Sequence, residues 1–206
     1  KLKIAASLGR VPKVLIVVHL AGISAAMREI RELVRPYGIK IIEDASHGLG
    51  GLYENEKIGS CRFSEITVFS FHPVKPITCC EGGVAMTNCE KLKSLLDQFR
   101  THGVVRNLIS SENASVKPWH YEQTALGLNY RLSDLHAALG ISQLSFLDNY
   151  RLLKDVLANK YKEKLCHFNI GLPKEPKGCV SAHHLFVVRL KGSVGPEVRD
   201  ELILEM

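Results

Sequence analysis

Continuous apolar runs alternate with helix-spaced apolar positions along the first part of the chain. Val14–Val18 is unbroken and apolar, the pattern of a buried strand. His19-Leu20-Ala21-Gly22 ends it, and Ser24 stands where it can cap a helix. Met27, Ile30, Leu33, Val34 and Tyr37 then fall on one helical face, with Gly38 as a natural stop. Residues 39–42 form a second apolar run that ends in Glu43-Asp44. Strand, helix, strand with short joints predicts a βαβ unit with parallel strands. Open α/β sheets bind ligands at the carboxyl ends of such strands, and Asp44 falls at that edge.

Two further strands are predicted over 65–71 and 84–87. Between them lies one lysine, Lys75, flanked by Pro73 and Pro76 and followed by Gly82-Gly83. Proline fixes φ and glycine permits unusual φ/ψ, so this loop is built to hold one amine in one place. Asn88 can cap a helix carrying Leu92, Leu95, Leu96 and Phe99. Residues 102–126 read as irregular and polar, longer than most connections, so a functional or interface loop is expected there. Ser133 caps a helix with Leu135, Ala138, Leu139 and Leu144, and residues 149–165 are strongly helical. Pro173, Pro176 and Gly178 mark a break. A β-rich stretch over 184–190 then opens a second domain, dividing the chain into 1–172 and 173–206.

Composition narrows the class. The chain has 206 residues, 46% hydrophobic and 23% charged, which suits a soluble globular protein. No apolar run approaches the roughly 18 to 20 residues of a membrane span, so no membrane association is expected. Lys and Arg number 27 against 21 Asp and Glu, a net charge of +6. The basic residues are scattered over helix faces, with no stripe interleaved with aromatics. A solvated surface is expected, not a nucleic-acid interface, and a small anionic ligand suits the excess. The six cysteines include no CxxC pair, and the histidines complete no zinc pattern, so no metal is expected. Free thiols in a reducing cytoplasm are the expected state. Lys1 is not an initiator and the chain stops within a helix-like pattern, which makes a fragment of a longer protein the expectation.

Gly48-Leu49-Gly50-Gly51 fails the dinucleotide fingerprint, because Tyr53 stands where its last glycine belongs, and no Walker lysine follows. Asp44 and Lys75 are more informative as a pair. Each lies at or just past the end of a predicted strand, so one parallel sheet would bring a carboxylate and an amine to one crevice. Pyridoxal phosphate wants that pair: its aldehyde condenses with a lysine amine, and an aspartate keeps its ring nitrogen protonated. Ser70 could supply a hydroxyl to its phosphate. The bland readings stand beside this one. A lone aspartate at a strand end is most often a turn or cap residue, and a lone lysine is most often solvated.

Glu43-Asp44-Ala45-Ser46-His47-Gly48-Leu49-Gly50 leads a set of linked motifs. Phe69-Ser70-Phe71-His72-Pro73-Val74-Lys75 with Glu81-Gly82-Gly83 follows, then Gly127-Leu128-Asn129-Tyr130-Arg131-Leu132-Ser133-Asp134. His19-Leu20-Ala21-Gly22, Arg100-Thr101-His102-Gly103 and His183-His184-Leu185-Phe186-Val187 stand in the same order. Together they resemble the DegT/DnrJ/EryC1/StrS family of sugar-nucleotide aminotransferases, over most of the chain. Lys75-Pro76-Ile77-Thr78 most resembles the branch that aminates UDP-4-keto-6-deoxy-N-acetylhexosamines, the altrosamine transaminases of pseudaminic acid synthesis.

The resemblance implies an α/β fold: the central part of a fold-type I large domain, a mixed and mostly parallel sheet flanked by helices, and the start of a small α+β domain. It implies pyridoxal phosphate as cofactor, and amino transfer from a donor, expected to be L-glutamate, to a keto group of a nucleotide-linked deoxysugar. Lys75 matches the cofactor-bonding lysine and Asp44 the carboxylate facing the ring nitrogen. His47 stands beside the ring, and Ser70 matches a phosphate-binding hydroxyl. Asn129 matches an amide that reaches the phosphate across a dimer interface, which implies a homodimer. Arg131, beside it, is a substrate-binding candidate, or pairs with Asp134 three positions on. Cys79-Cys80 departs from the family, which has threonine or another small residue before Glu-Gly-Gly. The family's phosphate-binding turn near the domain start, and most of the small domain, find no counterpart. Two rival readings follow: a pyridoxal-dependent sugar dehydratase, against which Lys75 argues, and a truncated homologue that binds a ligand or dimerises without catalysis.

Overall fold

A computed structural model describes residues 1–106, 119–192 and 195–206. Helix α1 (Leu2–Ser7) leads into strand β1 (Val14–Val18), a short helical turn at Leu20–Gly22, and helix α2 (Met27–Val34). Strand β2 (Lys40–Asp44) lies parallel to β1, with Val14 beside Lys40 and Val18 beside Asp44. This is the predicted βαβ unit. Met27 and Val34 are each only 1% exposed, because they carry the face of α2 that covers the sheet. Gly38 ends the helical segment with φ 68°, a left-handed conformation that glycine adopts without penalty.

Two local expectations fail. The residue preceding α2 is Ala26, and Ser24 caps nothing. Its hydroxyl donates to Ala25 O instead, because residues 23–26 continue the turn before the helix begins. Strand β1 is not buried on both faces. Leu15 and Val17 point inward, whereas Ile16 is 63% exposed and Val14 and Val18 are also exposed. The strand lies at the edge of the sheet, and the described residues cover one face of it.

Short strands β3 (Leu52–Tyr53) and β4 (Glu56–Lys57) form a hairpin before β5 (Ile66–Ser70). Strand β5 runs parallel to β2, and β6 (Gly83–Met86) returns antiparallel to β5. The main sheet therefore has the order β1-β2-β5-β6, mixed and mostly parallel, and the Lys75 loop is its β5–β6 connection. The core on the α2 side gathers Val17, Met27, Val34, Ile39, Ile41 and Tyr53, and a second cluster joins Ala45, Ile58 and Phe69.

Helix α3 (Glu90–Arg100) begins after Cys89, not at the expected Asn88, whose amide donates to Ser60 O. The stretch 102–126 is not wholly irregular. Strands β7 (Val104–Arg106) and β8 (Tyr121–Gln123) pair antiparallel, and residues 107–118 lie outside the described residues. Ser133 caps α4 (Asp134–Leu144), its hydroxyl accepting from His136 N at 3.3 Å. Helix α5 (Leu147–Leu165) follows. Strand β9 (Ile170–Gly171) precedes β10 (Cys179–Val180), which returns to pair with β3. The β-rich stretch 184–190 is strand only at β11 (Arg189–Leu190), paired with β9, because His184 N and Leu185 N donate to Ala21 O. Helix α6 (Pro196–Glu205) ends the chain, and among the described residues no helix is long and apolar enough to cross a membrane.

Candidate active site

Asp44 is the last residue of β2, at the carboxyl edge of the sheet. Its Oδ1 accepts two hydrogen bonds from Ser46, from N at 3.0 Å and from Oγ at 2.6 Å. The Ser46 hydroxyl bond holds the carboxyl below its usual range against the opposing effect of burial, and nearby His47 and Lys75 add to this. Asp44 is thus an anion at neutral pH. Among the described residues no donor reaches its Oδ2.

A tight turn after β2, closed by Gly48 N on Ala45 O at 2.8 Å, brings His47 back beside Asp44. His47 Nδ1 accepts from Ala21 N at 3.2 Å, which places the ring proton on Nε2. Burial first, and then Lys75, lower the pKa of this imidazole, so it is neutral at pH 7. Its ring meets the ring of His184, with centroids 4.4 Å apart and planes 36° apart. Burial, reinforced by His47, Lys75 and Lys154, pushes His184 down to about 4. Sequence reasoning assigned His184 no role. Its motif, His183-His184-Leu185-Phe186, was the only signal, and nothing local in it points to His47.

The Lys75 loop is fastened on both sides of the lysine. Lys75 N donates to His72 O at 2.9 Å, closing a turn. Ile77 and Cys79 are buried behind it, and Thr78 Oγ1 donates to Phe71 O at 3.0 Å. Lys75 itself is half-buried, and its positive charge acts on Asp44, His47 and His184. All four therefore lie near one another at this edge of the sheet, where a crevice is expected. Ser70 ends β5 half-buried, its Oγ accepting from His72 N at 3.4 Å. The Cys79 thiol is pushed up by burial and donates to Glu81 O at 3.3 Å, so it packs as a core residue, while Cys80 is exposed.

Asn129 and Arg131 stand outside this group. Both are exposed, and Arg131 Nε donates to Asn129 Oδ1 at 2.9 Å, not to Asp134. An apolar cavity of about 570 Å³ lies elsewhere, between the sheet and α4, lined by Ile58, Phe69, Ile77, Gly140 and Leu144 among others. None of Asp44, His47, Ser70 or Lys75 lines it, so the chemistry does not belong there.

The donor set of the crevice fits pyridoxal phosphate. A carboxylate held ionised with one oxygen open can pair with a protonated ring nitrogen. Lys75 is near enough to act electrostatically on it, two neutral imidazoles stand together nearby, and the Ser70 hydroxyl lies at the end of the neighbouring strand.

Comparison with known proteins points the same way. The chain is 40% identical over 177 residues to a UDP-4-amino-4,6-dideoxy-N-acetyl-beta-L-altrosamine transaminase of Campylobacter jejuni, covering 84% of this chain and 44% of that protein. Its fold matches Helicobacter pylori PseC, an aminotransferase involved in the biosynthesis of pseudoaminic acid, with a TM-score of 0.80 and 28% identity over 95% of this chain and 49% of that one. A DegT DnrJ EryC1 StrS aminotransferase from Brucella abortus matches with a TM-score of 0.81 and 27% identity, over 99% of this chain and 51% of that one. The chain thus spans about half the length of these relatives. The DegT/DnrJ/EryC1/StrS aminotransferase family model matches residues 2–206, and the chain belongs to that family.

Proposed function

We propose that this chain carries the lysine-bearing half of a pyridoxal-phosphate site for amino transfer to a nucleotide-linked keto-deoxysugar. The observation that supports it most is the convergence of Asp44, His47 and Lys75 at the carboxyl ends of adjacent parallel strands. The cofactor, when bound, supplies an electron sink for the carbon that gains or loses nitrogen.

The residues of the chain do the rest. Lys75 Nζ would hold the cofactor and would be the group that carries a proton to and from the reacting carbon. Asp44 offers its open Oδ2 to the ring nitrogen and keeps it protonated. His47 presents Nε2–H, its other nitrogen being engaged by Ala21 N. Ser70 gives a hydroxyl to the phosphate. Asn129 is exposed, as an amide that serves the site of a second copy would be, and a homodimer follows from that role. Arg131 accompanies it as a substrate contact. In this reading residues 1–172 bind cofactor and residues 173–206 open the smaller domain. L-Glutamate is the proposed donor, and the proposed sugar is a UDP-4-keto-6-deoxy-N-acetylhexosamine, the keto counterpart of the 4-amino sugar in the name of the Campylobacter transaminase.

Titration with pyridoxal phosphate tests this directly. Binding at Lys75 is expected to give a visible absorbance band, and borohydride reduction is expected to leave a permanent cofactor adduct on the peptide that contains Lys75. An adduct on another lysine refutes the assignment. A second reading is a ligand-binding homologue without turnover. A cofactor adduct on Lys75 with no amino transfer from glutamate, even alongside the rest of the domain, would select it.

A further inference from the structure

The turn Leu20–Gly22 separates two buried groups without a role in the reading above from the two imidazoles that border the crevice. On its buried side, His19 is 0% exposed, and its Nε2 lies 2.7 Å from Glu43 Oε2. His19 Nδ1 accepts from Ala25 N at 3.1 Å, so the ring proton is on Nε2 and is donated to the Glu43 carboxylate. The second Glu43 oxygen accepts from Ser64 Oγ and, at 3.3 Å, from Thr67 Oγ1. Burial pushes the Glu43 carboxyl up, but the hydrogen bonds from His19 and Ser64 outweigh it and keep the group ionised. A buried pair this fully satisfied is a rigid anchor. His19 N also donates to Asp44 O at 3.0 Å, which ties the same residue to the strand end that carries the site carboxylate.

On the crevice side the same turn holds the His47 ring and the His184 backbone. Ala21 N donates to His47 Nδ1 at 3.2 Å, and Ala21 O accepts from His184 N at 3.0 Å. Gly22 O accepts from Ala182 N at 2.9 Å and from Ser181 Oγ at 3.2 Å. Ala21 sits at φ 62°, a left-handed conformation uncommon for a residue with a Cβ. A Cβ on Gly22 would lie 2.9 Å from His184 N and 3.0 Å from His47 O. The turn is therefore pressed between its anchor and the backbone at His47 and His184, in a conformation that its surroundings must enforce.

We infer that the buried Glu43–His19 pair is a positioning device: through the Leu20–Gly22 turn it fixes His47 as the Nε2–H tautomer and seats His184 against it. Removing the anchor frees the turn to relax from its left-handed state, and Ala21 N then no longer holds His47 Nδ1. The significance for catalysis rests on the reading that His47 borders the bound cofactor, but the tautomer exists without any ligand. Failure of cofactor binding would therefore not be mistaken for failure of this inference.

The test is long-range proton–nitrogen NMR of the chain labelled with ¹⁵N-histidine at pH 7, with His47 assigned by loss of its signals in His47→Gln. Wild type is expected to show His47 with a bare Nδ1 and a protonated Nε2. Glu43→Ala is expected to abolish this signature, with the two nitrogen resonances moving toward a common value. Glu43→Gln keeps an acceptor for His19 and is expected to restore it. His19→Gln, a milder cut that loses only the Ala25 contact, is expected to give an intermediate shift and serves where Glu43→Ala does not fold. A merely structural role would lower stability and leave the His47 tautomer unchanged. Folded Glu43→Ala or His19→Gln with the wild-type His47 pattern, or wild type with its proton on His47 Nδ1, overturns the proposal.

Discussion

Lowering the pH should destabilise this chain through His184 before it does so through the carboxylates. The perturbation is a change from pH 7 to pH 4.5. His184 is moved from its ordinary 6.5 to about 4 in the folded state, by burial and by His47, Lys75 and Lys154 around it. The sign follows from which state takes the proton. Between those two values the unfolded chain binds a proton that the folded chain refuses, so stability falls as pH falls through that window. At about 1.4 kcal/mol per unit, the unscreened loss by pH 4.5 is about 2.5 kcal/mol, and solvent access to a half-buried ring reduces it to about 1 kcal/mol. His47 shifts in the same direction and adds to the loss. Glu43 and Asp44, both held low, contribute only as the pH drops below their ordinary values of 4.5 and 3.8. The assay is urea unfolding followed by circular dichroism at the two pH values, for wild type and His184→Asn. The quantity compared is each protein's own loss between the two pH values, so any baseline cost of the substitution cancels. Wild type is expected to lose about 1 kcal/mol more than the variant. Equal losses, or a His184 ring that titrates near 6.5 by NMR, would refute the reasoning.

Other outcomes follow from single contacts. Met27→Ala, at a position 1% exposed beneath the sheet, is expected to cost about 2–5 kcal/mol in urea unfolding, and a cost below that range would mean that α2 packs loosely. Gly22→Ala meets both a φ of +93° and backbone atoms 2.9 Å away, so it is expected to separate His184 from His47 and let the His184 pKa rise toward 6.5. Asp44→Asn removes the charge from the proposed ring-nitrogen contact. Cofactor affinity by absorbance titration is expected to fall about tenfold to hundredfold, from the roughly 1.5–3 kcal/mol of a hydrogen bond to a charged group.

The βαβ unit was legible because its signals are local: an apolar run, a helical stripe, a glycine stop, a second run. The same locality placed Asp44 and Lys75, each at the end of a run, and the β2–β5 pairing then brought them to one edge. Three features escaped for one physical reason, which is that they depend on residues far along the chain. The apolar run of β1 shows that a strand forms, but whether one face or both are covered depends on what packs there. Ser24 has the chemistry of a cap, but Cys179 Sγ takes its N–H at 3.3 Å in a segment that turns before the helix starts. His184 reaches His47 because Ala182, His184 and Leu185 dock on Ala21 and Gly22, a contact no periodicity encodes. Strand β8 escaped differently. Tyr121-Glu122-Gln123 is exposed throughout and leaves no apolar alternation to read, and its cross-strand side-chain contact, the Arg106 guanidinium 5.8 Å from the Tyr121 ring centre, joins residues far apart in the chain.

The adjacent acids Glu43 and Asp44 show how strand geometry divides two similar side chains between structure and chemistry. Successive residues on a strand point to opposite faces, so one of the pair must face the core and the other must not. Glu43 faces the side that carries Leu15, Val17 and Ile41, and it survives there only because His19, Ser64 and Thr67 satisfy both its oxygens. Asp44 faces the side of Val18 and Val68, where Ser46 occupies one oxygen and leaves the other open. A slip of one residue in the β1–β2 register would exchange them, stranding an aspartate too short to reach His19 in the core. The buried carboxylate thus protects the register on which the half-buried one depends. It also anchors the turn that orients His47, so the same pair fixes both the position of the site acid and the tautomer of its neighbour.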